Sequence, residues 1–195
     1  MDLARMPLES LRAELLREPG DDSPCQPGAC RDACALPYAG LHWPPLPLVD
    51  YRLAVAREIL LRAAYDELIG RDFVGSPKAA RDYFSLHFAS LQYEVFLVAY
   101  LDVQNRVIAV EQAARGTLTS ASVHPRELVR QSVHFGAAGI LCSHNHPCGS
   151  QTISRADEAL TGAIKSALLL VDVKLVDHLV FAGGEFVSFA EKGLL

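Results

Sequence analysis

Apolar residues follow two rhythms along this chain. In the first half the spacing is helical. Leu3, Leu8, Leu11 and Leu15 recur at intervals that predict a short amphipathic helix within residues 1–17. Asp50 is a capping residue ahead of a helix predicted to reach Ile69 and to stop at Gly70. Its Leu53, Ile59, Leu60, Ala63 and Leu68 are available to pack. Ser76-Pro77 pairs a capping residue with proline at the first helical position, and the helix it opens is predicted to run to Leu91.

From residue 92 the rhythm changes. Tyr93–Val103 (YEVFLVAYLDV) is β-branched and aromatic and reads as a buried strand. Gln104-Asn105-Arg106 is a turn, Val107–Glu111 a second strand, and Gly116–Val123 a third extended segment. Pro125–Phe135 is a helix ended by Gly136, and Ala138–Ser143 a short buried strand. After a Gly/Ser/Thr loop comes a long helix, Ser154–Val171. Val173–Phe181 and Glu185–Phe189 form a last hairpin around Gly183-Gly184. Strands interleaved with helices predict an α/β domain, a mixed sheet with helices packed against it.

Between the halves lies Gly20–Leu48, with six prolines and three glycines, read as a linker or extended arm. Trp43 is read as a tether docking that arm. The expected division is an N-terminal extension over 1–71 and a domain over 72–195.

Composition narrows the function classes. The 195 residues are 50% hydrophobic and 21% charged, with a formal net charge of −5. A mildly acidic chain is not a general binder of polyanions, which need a basic face. No apolar run approaches the roughly 20 residues that span a bilayer, so no membrane partner is expected. The charged N-terminus lacks the apolar stretch of a secretory signal, and a cytoplasmic protein is the expectation. Five cysteines without such a signal argue for reduced thiols. Cys25, Cys30 and Cys34 contain no C-x2-C unit and read as spacer thiols rather than a structural zinc site.

The chemistry concentrates in Ser143–Asp157 (SHNHPCGSQTISRAD). His144 and His146 are two apart at a strand end, so their side chains share one side and two imidazoles can meet one ion. Asp157 opens the next helix, and a strand–loop–helix return can bring its carboxylate to the same point. Two nitrogens and one oxygen leave a fourth tetrahedral position for water, the open arrangement of a catalytic zinc. Each piece alone has a plainer reading. An H-x-H is common on surfaces, and Ser154-x2-Asp157 is also a capping pair.

The full spacing His144-x-His146-x7-Ser154-x2-Asp157 matches the JAMM motif of MPN-type zinc metalloproteases and deubiquitinases. More narrowly, HNHPCGSQTISRADEALT, with EVFLVAYLDVQNRVIAVEQAARGTLTSASVHPRELV before it and ALLLVDVKLVDHLVFAGGEFVSFAEKGLL after it, resembles the RadC family. The resemblance covers roughly residues 72–195. It implies an MPN fold, JAB-like and cytidine-deaminase-like. It implies Zn2+ held by His144, His146 and Asp157, and Ser154 as donor to an oxyanion. The family's general acid/base is a glutamate on an upstream strand. Glu94 is preferred to Glu111, because a carboxylate opening an otherwise apolar strand is poorly solvated, whereas Glu111 reads as exposed at a strand end.

The implied activity is metal-assisted hydrolysis of a peptide or isopeptide substrate. Two rival expectations are a DNA-associated accessory protein of repair or mobile elements, by family analogy alone, and a catalytically silent MPN scaffold. The first would need a basic face around Arg115, Arg126 and Arg130. A homodimer or a regulatory subunit is left open.

The chain departs from the family pattern in three places. Residues 1–70 show no G-x-G signal of the family's helix-hairpin-helix region, Cys148 stands where serine is usual, and Ile153 where proline is usual. Cys148 is read as a serine-like loop residue. Asp177-His178 also resembles a family position and is read as a structural hydrogen bond. Pro125-Arg126-Glu127 is read as a helix start with a surface arginine. His42, His87, His124 and His134 have no ligand spacing and are expected at the surface.

Overall fold

The computed structural model describes residues 3–16, 48–73, 77–89, 91–116 and 123–195. The readings of residues 20–47, with Cys25, Cys30, Cys34, His42 and Trp43, lie outside the described residues. So do Ser76 and most of the third extended segment. The chain forms two compact units, Met1–Tyr65 and Asp66–Leu195.

In the first unit a 3-10 turn, Leu3–Arg5, leads into α1 (Leu8–Leu16), and both pack with α2 (Leu48–Leu68). Leu3, Leu11, Ala54 and Val55 form its core. The expected packing face of α2 needs correction. Leu53, Leu60 and Ala63 are exposed, whereas Ala54, Val55, Glu58, Leu61 and Arg62 are buried, as is Leu68. Arg62 explains the rotation. Its guanidinium donates to the carbonyls of Leu3, Ala4 and Met6 and pairs with Glu58 at 2.8 Å. Buried carbonyls need donors, so the helix turns a paired arginine inward. The helix also starts at Leu48, ahead of the predicted cap at Asp50.

The second unit is built on a five-stranded sheet. Helix α3 (Pro77–Phe88) precedes β1 (Val95–Leu101) and β2 (Val107–Arg115). Then come α4 (Pro125–Phe135), β3 (Gly139–Asn145), α5 (Arg155–Leu169), β4 (Lys174–Ala182) and β5 (Glu185–Ser188). The strand order is β2-β1-β3-β4-β5. Only β3 and β4 are parallel, and α5 is their crossover; the other neighbours are antiparallel. This is a mixed α/β sheet with helices packed against it, as the strand and helix pattern predicts, and it is consistent with the MPN-type fold that the resemblance implies.

Why β1 and β3 lie inside is legible in their composition. Every residue of both strands is buried, including Ser143, His144 and Asn145. Phe96, Val98 and Tyr100 join Ile140, Cys142, Leu128, Ile164 and Leu168 in one cluster beneath α4 and α5. On the other face Phe84 and Phe88 of α3 lie against Phe181 of β4. His87 is buried on α3, against expectation, tilted against Tyr83 and edge-on to Phe88. α4 stops at Gly136 in the left-handed region (φ 61°), as its glycine predicts. β2 runs past Glu111 to Arg115, so Glu111 lies half-buried within the strand rather than exposed at its end.

One irregularity decides which side chains of β4 reach α5. Along β3/β4 the pairing slips by one residue: Ile140 faces Leu175, and Leu141 faces Asp177. Side chains alternate along a strand, and the slip resets the alternation. Leu175 and His178, three apart, therefore both face α5, one against Ile164 and Leu168 and the other against Thr161. Asp177 points away. Its carboxylate accepts from the His178 and Ala190 amides and the Ser188 hydroxyl. The expected structural hydrogen bonding of the Asp177-His178 pair is seen in both residues, the histidine's ring bonding Thr161 and His144.

Candidate metal centre

His144 and His146 sit where β3 ends, and Asp157 sits in the first turn of α5. The loop between them is closed by backbone. His146 N donates to Phe181 O at 2.7 Å and Gly149 N to His146 O at 3.0 Å, with Gly149 in the left-handed region (φ 76°). Ser154 caps α5. Its Oγ accepts from Asp157 N at 3.1 Å and donates to Asp157 Oδ2 at 2.7 Å, while its own amide donates to Oδ2 at 2.8 Å. The capping-pair reading is therefore realised, and the cap aims the carboxylate toward the histidines.

The three side chains converge. His144 Nε2 and His146 Nε2 are 3.1 Å apart. Asp157 Oδ1 is 3.4 Å from the first and Oδ2 is 3.6 Å from the second. One ligand atom from each lies within 4.8 Å of the others, so the group could hold a metal ion. The donor set fits such an ion. His146 Nδ1 is 2.8 Å from Ser150 O, and a carbonyl only accepts, so that nitrogen carries the proton. In the neutral ring Nε2 is then a bare lone pair aimed at the cluster. Electron-rich atoms gathered this closely require a cation or a proton among them.

The charges respond accordingly. The hydrogen bond to Asp157 raises the His146 pKa to about 8, against burial, with help from Ser150 and Glu94. Burial alone would raise Asp157, but hydrogen bonds from His144, His146 and Ser154 outweigh it and hold its carboxyl well below the usual range. Burial keeps His178, behind His144, well below the ordinary histidine value.

Glu94 completes one wall. It directly precedes β1 rather than lying within it. Together with His144, His146, Cys148, Ser154 and Asp157 it lines a cleft of about 460 Å³. Glu111 does not line that cleft. Asn145, between the two histidines, points the other way and holds the backbone on either side of the glutamate. Its Oδ1 accepts from Val95 N at 2.8 Å, and its Nδ2 donates to Tyr93 O at 3.0 Å. Gly116 N reaches Glu94 O at 2.9 Å. The residues flanking Glu94 are thus tied to the residue between the candidate ligands. Phe96 stacks on His144 with ring centroids 5.9 Å apart.

All five residues expected from the sequence meet in this cleft. Asn145, Thr161 and His178 support the cleft from behind its lining, a role the sequence reading does not assign to them. Asn145 carries a signal in its position between two same-side histidines, and Thr161 in lying one helical turn after Asp157. His178 is hidden by the slip in β4.

An α/β sheet with this cluster at the end of its central strand defines a JAB-type domain. The RadC-like JAB domain family matches residues 74–194. A UPF0758 protein of Methylibium petroleiphilum is 50% identical over 149 residues, 76% of this chain and 67% of that protein. UPF0758 proteins of Albidiferax ferrireducens and of an Acidovorax species are 46% and 48% identical over the same share of this chain, and 64% and 63% of their own lengths are covered. The chain belongs to the RadC-like JAB domain family. Its match spans about two thirds of the length of these relatives.

The clamp gives a test. In Asn145→Ala the Val95 amide and the Tyr93 carbonyl lose their partners. Stability by urea denaturation is expected to fall by about 1–3 kcal/mol. An unchanged midpoint would show that the clamp is not holding the segment.

Proposed function

We propose that this chain is a zinc-dependent hydrolase of the JAMM type that cleaves a peptide or isopeptide bond. The observation that carries the reading is the convergence of His144 Nε2, His146 Nε2 and the Asp157 carboxylate in a cleft that Glu94 also lines. His144, His146 and Asp157 are the zinc ligands in this reading. When bound, zinc supplies a Lewis acid that polarises a carbonyl and acidifies water at the open position. Glu94, half-buried across the cleft, takes the proton from the attacking water and passes it to the leaving nitrogen. Ser154, whose hydroxyl rests on Asp157 Oδ2, turns to donate to the oxygen that becomes negative.

The peptide reading is preferred to a nucleic-acid one on charge. Arg126 and Arg130 both reach Glu127, at 3.5 and 2.9 Å, and Arg115 lies 3.9 Å over the Tyr93 ring. The basic face that a DNA-associated role needs is thus partly spent within the domain. No helix among the described residues is long and apolar enough to cross a membrane.

Purified without chelators, the full chain is expected to hold about one zinc and His146→Ala to hold little, because a catalytic zinc takes three protein ligands. Glu94→Gln should keep the zinc and lose roughly 100-fold or more of peptide-bond cleavage. Equal zinc in wild type and His146→Ala would remove the metal reading. Undiminished turnover in Glu94→Gln would remove the glutamate's role.

A pH dependence follows from His146. Its pKa near 8 means that the metal-free site carries a proton on this ring at neutral pH, one that zinc must displace. Zinc affinity, read by competition with a chromophoric chelator, should therefore rise about tenfold per pH unit below that value and flatten above it. A flat profile between pH 6 and 8 would contradict this.

A further inference from the structure

Behind the cluster runs a chain of three hydrogen bonds that ends on the backbone of Asp157. Thr161 Oγ1 donates to Asp157 O at 2.6 Å. His178 Nδ1 is 2.7 Å from Thr161 Oγ1. His178 Nε2 is 2.8 Å from His144 Nδ1. All three side chains are buried: Thr161 is 2% exposed, His178 0% and His144 6%. With no solvent to supply or take a proton, each contact must hold one proton of its own.

The direction of the whole chain is set at its far end. Two oxygens 2.6 Å apart repel unless a proton lies between them, and the Asp157 carbonyl has none to give. The Thr161 hydroxyl proton is therefore spent there. Thr161 Oγ1 can then only accept from His178, so His178 Nδ1 carries its ring's proton. In a neutral ring Nε2 is then bare. The contact with His144 needs a proton, so His144 Nδ1 supplies it, and His144 Nε2 is left as a lone pair facing the cluster.

We propose that Thr161 and His178 are positioning residues that set the tautomer of His144, holding its Nε2 unprotonated and ready to ligate. The inference rests on the metal-centre reading for its purpose, but the tautomer itself is a property of the metal-free chain. It is a choice between two neutral forms. Reversed, the same contacts would place the proton on His144 Nε2 and block it. Ser150 O does for His146 what Thr161 and His178 do for His144. The helix geometry makes the arrangement self-consistent: Asp157 and Thr161 are four residues apart on α5, so one helix face supplies both a carboxylate and the anchor of the relay.

The test uses 15N NMR of the histidine rings in the metal-free full chain at pH 9, with zinc affinity as the second readout. Wild type should show His144 and His178 both protonated at Nδ1. Thr161→Val keeps the shape but removes the acceptor. His178 should then move its proton to Nε2 and donate to His144, whose own proton should move to Nε2. Zinc affinity should fall about 10–100-fold, the range seen when partners of metal-bound histidines are removed. Thr161→Ser keeps the hydroxyl and should restore both. An Nε2-protonated His144 in wild type would overturn the proposal without touching the hydrolase reading. So would a folded Thr161→Val with unchanged tautomers and affinity. Should Thr161→Val fail to fold, the wild-type tautomers and Thr161→Ser still decide. Correct tautomers with no zinc binding would instead count against the hydrolase reading.

Discussion

Two imidazole nitrogens 3.1 Å apart with a carboxylate against both are a costly thing to hold in a partly buried cleft. Most of the neighbouring structure acts to keep them there. β3 is fully buried between β1 and β4, so His144 and His146 leave the sheet from a rigid strand end. The Ser154 cap turns the Asp157 carboxylate back across the cleft, and the loop between is bonded to β4 through His146 N. A cation held by these three side chains would offset the repulsion that this geometry creates. A proton on His146 answers the same charge, and the hydrogen bond to Asp157 is what raises that ring's pKa.

The site is braced from two sides by residues that do not line the cleft. Asn145 faces away from its two neighbours and binds the backbone on either side of Glu94. His178 stands behind His144, stacked on Phe189 and tilted against Phe96. Such partners fix ring orientation and proton placement, properties on which ligand strength depends. The H-N-H triplet thereby does two jobs. Its outer residues face the cluster with Asp157, and its middle residue ties that cluster to the strand that follows the glutamate.

Much of this was legible in the chain. The change from helical to strand rhythm near residue 92 marks the α/β domain, and the spacing from His144 to Asp157 marks the cluster through its resemblance to the JAMM motif. Glu94 was legible as the one acid opening an apolar stretch, although it precedes the strand by one residue. Other features were hidden. The slip in β4 turns His178 toward α5 through pairing with β3, which no local pattern encodes. The α2 face is not legible because Arg62 and Glu58 look like solvent-facing residues, yet three carbonyls of the N-terminal segment need that guanidinium. His87 looks like a surface residue because nothing in its sequence neighbourhood declares the aromatic contacts that bury it.

The ligand set itself is the most direct thing to measure. X-ray absorption at the zinc edge on the zinc-loaded full chain should show nitrogen and oxygen neighbours only, at roughly 2.0–2.2 Å, together with the more distant outer-ring scattering of two imidazoles. A sulfur neighbour at roughly 2.3 Å, or a single imidazole, would mean that the ion sits elsewhere or enlists Cys148, and a zinc centre made of His144, His146 and Asp157 would be contradicted.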